Sequence, residues 1–393
     1  RIRARNFTCR YGELDVVVRA TDSSGLSRDG TIHVIVNPVN DLPVLDLPAE
    51  FKVQARGAKL TAGAREYVGM PILEIGRACL ELRGVRTKGI APYELAERSM
   101  NTTSDFPLML SALANKQLRN AYETAPDTWS QLGRRRSAKD FKDLLTIAFG
   151  ESPKLLEVLE GGDYKTGKIV EGQEKYRVKK YGRKFPFTYE AMINDDLSGF
   201  ERVLGGFGEQ ARQLQADIVW ALVTANSGGG VALADGVNLF HATHKNLATK
   251  ALGIDGLTAV RTLMTKQTGL DGVTKLALRM KHLRVPAALQ TIAEQLAATI
   301  QPNVTTAVNV FQGAFETVMA EPRLDDLSAT GYYGTASPNS ADGLQFAYLE
   351  GEEGPTLTTK IGFDVDGMDM KVRQVFGAGF VDFRGWVRSD GTT

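Results

Sequence analysis

The chain has 393 residues, of which 43% are hydrophobic and 24% charged, and these are ordinary values for a globular protein of two or three domains. A formal net charge of +1 argues against a strongly basic nucleic-acid binder, so only local charge can indicate a partner. Two cysteines argue against a disulfide framework. No apolar run approaches the roughly 20 residues that a membrane span needs, and no signal peptide is recognisable. A first residue of Arg1 is typical of a processed chain or a fragment.

Residues 1 to 50 carry the signals of a β structure. Two β-branched runs, LDVVVRA from Leu14 and GTIHVIVN from Gly30, flank a turn-rich connector and predict paired strands. The proline-rich segment 38–48 then interrupts regular structure. Together, ATDSSGLSRDGTIHVIVNPVNDLPVLD resembles the end of a cadherin-like or immunoglobulin-like repeat of bacterial surface proteins. The calcium ligands that this resemblance implies are Asp22, Asn40 and Asp41. The alternative is a terminal arm.

The next hundred residues turn helical. Apolar spacing between Ala64 and Ser99 predicts a pair of short helices, PILEIGRACLELRGV and PYELAERSM. Residues 101–150 then combine an extended start, NTTSDFPLML, with a helical segment over 112–122. Three consecutive cations follow, and they are Arg134, Arg135 and Arg136. Such a run could contact phosphate or form ion pairs between subunits, although it is usually a solvated face.

Residues 155–189 predict a long, basic β-hairpin. Strand-like alternation occurs at Tyr176 and Val178 and again from Phe185 to Tyr189, with glycines between. Its cations are Lys165, Lys168, Lys175, Arg177, Lys179, Lys180, Arg183 and Lys184. A long charged hairpin cannot bury its own faces, so this one needs a neighbouring chain to lie against.

A long amphipathic helix follows the hairpin. Apolar residues recur every three or four positions from Ile193 to Leu222, which predicts a helix over 198–226 of about 40 Å. Ser198 and Glu201 have the spacing of a capping box, and the run that begins at Ser227 predicts the end. Three glycines, Gly205, Gly206 and Gly208, weaken its middle.

The remainder predicts a mixed α and β lobe. His241 and His244 could bind a metal ion, but no third ligand with suitable spacing accompanies them, so no metal is expected. From Leu257, helical and strand patterns alternate. FDVDGMDMKV then predicts a hairpin with a two-residue turn at Asp366 and Gly367, and GAGFVDFRGWVR predicts one further strand that includes Trp386.

Reactive motifs are not found in the sequence. It contains no nucleophile elbow, P-loop, HExxH motif or supported cysteine and histidine pair. Its acidic pairs are adjacent in the chain, so their side chains diverge and make poor acid and base partners. The sequence therefore predicts a protein whose role is to associate with other chains, with no enzymatic activity and no cofactor.

A series of segments between about Ala64 and Gly391 carries a family resemblance. In chain order they are TSDFPLML, YETAPDTW, KLLEVLEGGDYKTG, INDDLSGF, LFHATHKNL, RVPAALQTIAEQL, YLEGEEGP and GFDVDGMDMKVRQVFGAGFVDFRGW. Their order resembles the Mu-like major head subunit of tailed phages, which has the α+β Hong Kong 97-like capsid fold. AREYVGMPILEIGRACLELRGVRTKGI resembles the connector found where a prohead protease is fused ahead of such a subunit. The chain departs from that pattern upstream, where the β fragment stands without recognisable protease residues.

The resemblance implies a domain organisation. Its parts are a β fragment at 1–50, a linker and helix pair at 51–100, an N-terminal arm at 101–154, an extended hairpin loop at 155–189, a peripheral domain with the long spine helix at 190–256 and 349–393, and an axial domain at 257–348. Some relatives crosslink a hairpin lysine to a neighbour, which nominates Lys165 or Lys168.

The function that the resemblance implies is self-assembly of hexamers and pentamers into an icosahedral shell around double-stranded DNA. The implied partners are copies of the chain, packaged DNA and a scaffold or prohead protease, in a virion assembled in the host cytoplasm. Two alternatives remain open. One is an encapsulin-type compartment shell, and the other is a calcium-binding adhesion or decoration module formed by residues 1–50.

Overall fold

The structure is a computed structural model. It describes residues 12–21, 27–36, 70–101, 105–149, 171–194, 197–298, 311, 313–361 and 367–392. The chain divides into two compact units, Arg1–Met70 and Pro71–Thr393. In the first unit, β1 (Gly12–Thr21) pairs antiparallel with β2 (Ser27–Val36), which confirms the predicted N-terminal strands. The implied calcium ligands Asp22, Asn40 and Asp41 lie outside the described residues.

The second unit contains helices and two five-stranded sheets. Its helices are α1 (Ile72–Leu82), α2 (Pro92–Asn101), α3 (Asp105–Thr124), α4 (Tyr189–Ile193), α5 (Leu197–Gly228), α6 (Ile254–Thr265) and α7 (Gln290–Ala297). Its strands are β3 (Gly133–Ala138), β4 (Leu144–Phe149), β5 (Glu171–Tyr176), β6 (Lys179–Thr188), β7 (Leu247–Ala248), β8 (Met280–Val285), β9 (Thr317–Ala320), β10 (Tyr332–Ala336), β11 (Leu344–Leu349), β12 (Thr356–Ile361), β13 (Gly367–Phe380) and β14 (Trp386–Ser389). The predicted α+β class is confirmed.

The long helix α5 forms where the apolar spacing predicts it. Its regular turns end before Ala225, and Asn226 and Ser227 adopt left-handed backbone angles with φ of 53° and 55°. Ser198, the predicted cap, instead lies inside the first turn, because the helix begins at Leu197. The stripe predicted along α5 is buried at Phe200, Leu204 and Ala211, whereas Val203 and Ala221, which it also includes, are exposed. Val219 and Val223, which the prediction left out, are fully buried. Amphipathicity and packing thus define the helix, while the cap assignment was wrong by a few residues.

The first sheet is organised around β13. Over its 14 residues, β13 pairs with β6 along one edge and with β12 and then β11 along the other. Strand β11 continues to β3 in parallel. Helix α5 packs on this sheet through two pairs of aromatic rings. Phe185 and Phe207 are stacked with ring centres 4.8 Å apart, and Phe187 and Phe200 are tilted with ring centres also 4.8 Å apart. A core that includes Trp129, Trp220 and Phe376 fills the interface. We call the first sheet with α3 and α5 the body lobe.

The second sheet has the order β7, β14, β10, β8, β9. Its core joins Leu257, Val260 and Met264 of α6 to Leu283 and Val285 of β8. These elements, with α7, form what we call the second lobe. The alternation of helices and strands predicted from residue 257 onward is confirmed, with α6, β8, α7 and β9 in that order.

A buried polar network joins the two lobes. Arg284 of β8 is fully buried and donates from Nε to the carbonyl of Thr128, 3.0 Å away, just before β3. Glu321, also fully buried, accepts from Thr128 and from Arg323 Nη1 at 2.8 Å. Arg323 reaches α5 by a bond of 2.6 Å from Nε to Asp217 Oδ1. Burial lowers the pKa of Arg284 to about 10, although the charges of Glu321 and Asp127 act in the opposite direction.

Three local predictions need correction. The segment NTTSDFPLML is not extended, because α3 begins at Asp105 and accommodates Pro107 in its first turn, where no helical hydrogen bond is lost. Strand β13 ends at Phe380, and Trp386 begins β14 in the other sheet.

The predicted hairpin of β12 and β13 does form. Its turn is not the predicted pair Asp366 and Gly367, because Gly367 is already part of β13. The connection between the two strands, 362–366, lies outside the described residues.

The predicted hairpin over 155–189 pairs differently from the expectation. Strand β5 pairs antiparallel with β4, from Leu144 opposite Tyr176 to Phe149 opposite Glu171. Strand β6 pairs with β13 of the first sheet and not with β5. The hairpin therefore starts earlier, at β4, and the second predicted strand is part of the body lobe. The two arrangements share the same alternation of side chains, so the alternation alone could not distinguish them.

Candidate assembly surface

The hairpin of β4 and β5 meets the body lobe at a crossing over β13. Two glycines of β13, Gly377 and Gly379, lie beneath the chain where it passes from β5 to β6. A Cβ atom on Gly377 would lie 2.8 Å from Cα of Val178, and one on Gly379 would lie 2.5 Å from Cβ of Tyr176. Only glycine permits this approach of two backbones. The signal for this crossing in the sequence is the GAG triplet, residues 377–379, within an apolar strand.

Side chains of β4 and β5 hold the base of the hairpin. The hydroxyls of Thr146 and Tyr176 both donate to Oε1 of Gln345 on β11, at 3.0 and 3.3 Å. Gln345 is fully buried and donates from Nε2 to Asp342 Oδ2 at 2.8 Å. Burial raises the pKa of the Tyr176 hydroxyl to about 12, so it remains a donor over the physiological range. The base of the hairpin is therefore fixed to the body lobe.

A carboxylate on β5 makes a further contact with the loop that follows α5. Oε1 of Glu174 accepts from the N–H of Ala234 at 2.7 Å. Burial raises the pKa of Glu174, and the neighbouring carboxylates Asp235 and Asp382 raise it further, whereas the Ala234 bond lowers it. Burial raises the pKa of Asp382 as well, in spite of its ion pair with Arg384 at 2.9 Å. Three carboxylates thus converge beside the hairpin.

The outward face of this region is a row of cations. Lys175, Arg177 and Lys179 alternate with the buried Tyr176 and Val178, so their side chains share the exposed face. In β6, Arg183 continues this face, whereas the exposed Lys180 leaves the opposite face. We call the following five exposed residues the basic ribbon: Lys175, Arg177, Lys179, Lys180 and Arg183. None of the five forms an ion pair with a residue that the structure describes.

The other predicted contact residues are neutralised within the subunit. Lys184 pairs with Asp369 at 2.7 Å on the adjacent β13. Arg134 and Arg136 both approach Asp342, at 3.1 and 3.5 Å. Arg135 pairs with Glu353, and its guanidinium carbon lies 5.3 Å from the centre of the Tyr348 ring. The three arginines therefore join β3 to acidic loops, whereas Lys184 joins β6 to β13. Lys165 and Lys168 lie outside the described residues.

The two neighbouring histidines have separate structural partners. His244 is buried and stacks on Phe383 with ring centres 3.8 Å apart. Its nitrogens lie 2.9 Å from Asp235 Oδ2 and 3.1 Å from the carbonyl of Leu239. Burial acts to raise the pKa of Asp235, but hydrogen bonds from His244 and from the N–H of Val237 hold it below its ordinary value. His241 instead contacts Thr243, 3.0 Å from Nδ1.

Within the described ranges, no three histidine, cysteine or acidic side chains are grouped as a metal site. None of the helices described there is long and apolar enough to cross a bilayer.

Comparison with known proteins supplies the family. Residues 172–389, which exceed half of the chain and include every strand from β6 to β14, match the family described as phage capsid protein. No curated protein matches the chain.

Several solved structures are similar in part. The procapsid of bacteriophage JBD30 is 15% identical, with a TM-score of 0.41, and the match covers 72% of this chain and 75% of that one. The cyanophage Pam1 capsid is 12% identical, with a TM-score of 0.42, over 69% and 97% of the two chains. A virus-like particle from Pyrococcus furiosus is 11% identical, with a TM-score of 0.41, over 71% and 99%.

The family match spans α5 to α7 and most strands of both sheets, but not α3, β3 or β4, which lie before residue 172. It agrees with the α+β architecture, in which a long helix packs on a sheet. The chain belongs to the phage capsid protein family and is a structural protein of the virion head.

Proposed function

We propose that the chain is the repeating major head subunit of a Mu-like tailed phage. It assembles with copies of itself into hexamers and pentamers, which close an icosahedral shell around double-stranded DNA. The observation that carries the proposal is the basic ribbon: five exposed cations without a counterion among the described residues, where the hairpin of β4 and β5 meets β6. Repeated contacts between different surfaces of identical copies close a shell when the rotations match its symmetry.

The lobes correspond to parts of such a subunit. We assign the body lobe to the peripheral domain, the second lobe to the axial domain, and the segment between β4 and β5 to the loop that reaches a neighbour. In this assignment the acidic partner of the basic ribbon belongs to an adjacent copy. Lys165 and Lys168 remain the proposed lysines of a covalent crosslink. A scaffold or prohead protease is the proposed assembly partner.

Charge reversal of the basic ribbon tests the proposal. In the triple variant Lys175→Glu, Arg177→Glu, Lys179→Glu, we expect the subunit to fold normally, because all three side chains are exposed. We expect shell formation to fall at least about tenfold, since each opposed like charge at an interface costs on the order of 1 kcal/mol or more. Electron microscopy and sedimentation velocity measure the shells, and circular dichroism measures the fold.

The control is Arg202→Glu, which reverses an exposed cation on α5 outside the ribbon. Equal shell yields from the triple variant and the control would reject the role of the ribbon. A wild-type chain that stays monomeric at high concentration would reject self-assembly altogether. Shells that contain enzyme cargo and no DNA would identify an encapsulin-type compartment in place of a phage head.

A further inference from the structure

The second lobe contains a cavity lined by cations. It has a volume of about 550 Å³ and lies between α6, the start of β8 and the turn around residue 313. Arg261 of α6 lines one side, and Arg279 and Lys281 line another. The rest of the lining is Thr265, Ala277, Met280, Phe311, Gly313 and Ala314. No aspartate or glutamate belongs to the lining among the residues that the structure describes.

The backbone explains why the three cations converge. Arg279 and Lys281 are two residues apart at the beginning of a strand, so their side chains leave the same face. Helix α6 buries Val260 and Met264 against this strand, which places Arg261 at the margin of the packed face. The cavity is therefore a product of the core packing of the second lobe and not of an exposed loop alone.

The cations at this cavity have fewer carboxylate partners than the three consecutive arginines of β3. Each member of that run has a carboxylate partner in the subunit. Lys281 also has one, Glu316 at 3.1 Å. Arg261 and Arg279 form no ion pair with any residue in the described part of the second unit. Like charges around one concave site raise the local potential, and a bound anion lowers the free energy of that arrangement.

We propose that this cavity binds a phosphate group, with Arg261 and Arg279 as the contacting residues and Lys281 as a further positive charge. Guanidinium groups match phosphate oxygens with two parallel hydrogen bonds, which favours phosphate over a simple halide. The volume admits one phosphate with a small organic substituent and excludes a duplex. The source of the phosphate rests on the proposed function: in a DNA-filled shell, a backbone phosphate of the packaged nucleic acid enters from the edge of the cavity.

The test uses the full chain with Arg261→Gln and Arg279→Gln, singly and together. Both side chains are exposed, so we expect the fold and its melting temperature to be unchanged. Arg202→Gln on α5 is the matched control for the loss of one positive charge. One arm titrates inorganic phosphate and follows the guanidinium resonances of arginine by NMR. The other arm measures binding of a short DNA duplex over a series of salt concentrations.

For wild type and control we expect saturable phosphate binding. In the double variant we expect the affinity for phosphate to fall by at least about tenfold. The logarithmic salt slope for the duplex should decrease by about one for each cavity arginine removed. Equal phosphate binding in the double variant and the control would overturn the site. Loss of phosphate binding with an unchanged duplex slope would support the site but assign it to a small phosphate compound. If the chain forms no shells and the phosphate result holds, the proposed function fails while this inference stands.

Discussion

At Gly208, helix α5 approaches α3 so closely that a Cβ atom would lie 2.5 Å from the carbonyl oxygen of Leu118 and 2.8 Å from Cβ of Ala121. One turn earlier, a Cβ atom on Gly205 would meet no atom within 4 Å. From the sequence, both glycines were expected to weaken the helix equally. In the structure, Gly208 is required for the packing of α5 on α3, whereas the site of Gly205 has room for a side chain. Helical propensity alone could not make that distinction.

These two glycines give opposite predictions. We expect Gly208→Ala to lower the free energy of unfolding by about 1–3 kcal/mol, because the helices must separate. We expect Gly205→Ala to raise it by about 0.5–1 kcal/mol, because alanine has the higher helix propensity. Urea unfolding of the two variants measures both values. A common sign for the two changes would contradict the packing of α3 on α5.

Glu174 predicts a dependence of stability on pH. Its pKa is raised in the folded state above the ordinary 4.5, chiefly by burial. The folded chain therefore holds this proton more strongly than the unfolded chain, so stability falls as pH rises from about 4.5 through the raised pKa. Glu174→Gln keeps an acceptor for Ala234 and removes the charge. We expect this variant to show a flatter profile of melting temperature between pH 4 and 7, with a higher value at pH 7.

The matched control for this profile is Glu209→Gln, an exposed carboxylate on α5. Its profile should run parallel to that of the wild type. If Glu174→Gln also ran parallel, the three neighbouring carboxylates would have no measurable effect on the stability of the hairpin base.

Among the elements, β12 is an edge strand, and one side chain caps its free edge at Leu357. Asn115 of α3 accepts from the N–H of Leu357 at 3.1 Å and donates to its carbonyl at 3.3 Å, so its amide takes the place of a neighbouring strand. Free strand edges can template association with other chains. The contact therefore both stabilises the sheet and limits where another strand can add.

Asn115→Leu removes this cover while retaining the size of the side chain. We expect a loss of about 1–3 kcal/mol in the free energy of unfolding, because two backbone groups lose their partners. We also expect more aggregation at equal concentration. Chemical unfolding and light scattering measure the two effects, with Asn120→Leu on the exposed face of α3 as the control. Similar results for both variants would show that the edge needs no cover.

The elements also show what could be predicted from sequence. Helices α1, α2 and α5 follow from apolar spacing, because a helix satisfies its backbone within a continuous segment. The partners of β6 and β5 do not follow, because β6 pairs with residues almost 190 positions later and the alternation fits either neighbour. The carboxylates that pair with Arg134, Arg135 and Arg136 are similarly far away in the sequence, so local sequence could not reveal them. The sequence suggested that these arginines were available to a partner, but each forms an ion pair within the chain.

At the scale of the whole molecule, α1 and α2 belong to the packed second unit. Leu95 and Met100 are fully buried, and Tyr93 packs edge-on against Tyr189 of α4 with ring centres 5.7 Å apart. Gly76 of α1 packs closely on both α2 and α4, since a Cβ atom there would lie 3.1 Å from Cβ of Ser99 and 2.9 Å from Cε of Met192. The linker and helix pair assigned to 51–100 therefore includes residues that help to fold the head subunit.

Two truncated chains test this division. We expect a chain that begins at Pro71 to keep the melting transition of the second unit. A chain that begins at Thr102 loses α1 and α2 and exposes Met192 and Tyr189, so we expect its melting temperature to fall by at least about 5 °C. Differential scanning calorimetry compares both with the full chain. Equal transitions from the two truncated chains would mean that the helix pair adds no stability, as expected of a removable connector.

The crossing over Gly377 and Gly379 has a geometric consequence for the hairpin. Because the two chain segments meet through backbone atoms, the direction in which the hairpin leaves the body lobe depends on two missing side chains. Strands β4 and β5 are paired along their described length, so a rotation at this two-residue contact would turn both of them together. A side chain at either glycine would therefore change the angle between the hairpin strands and the first sheet.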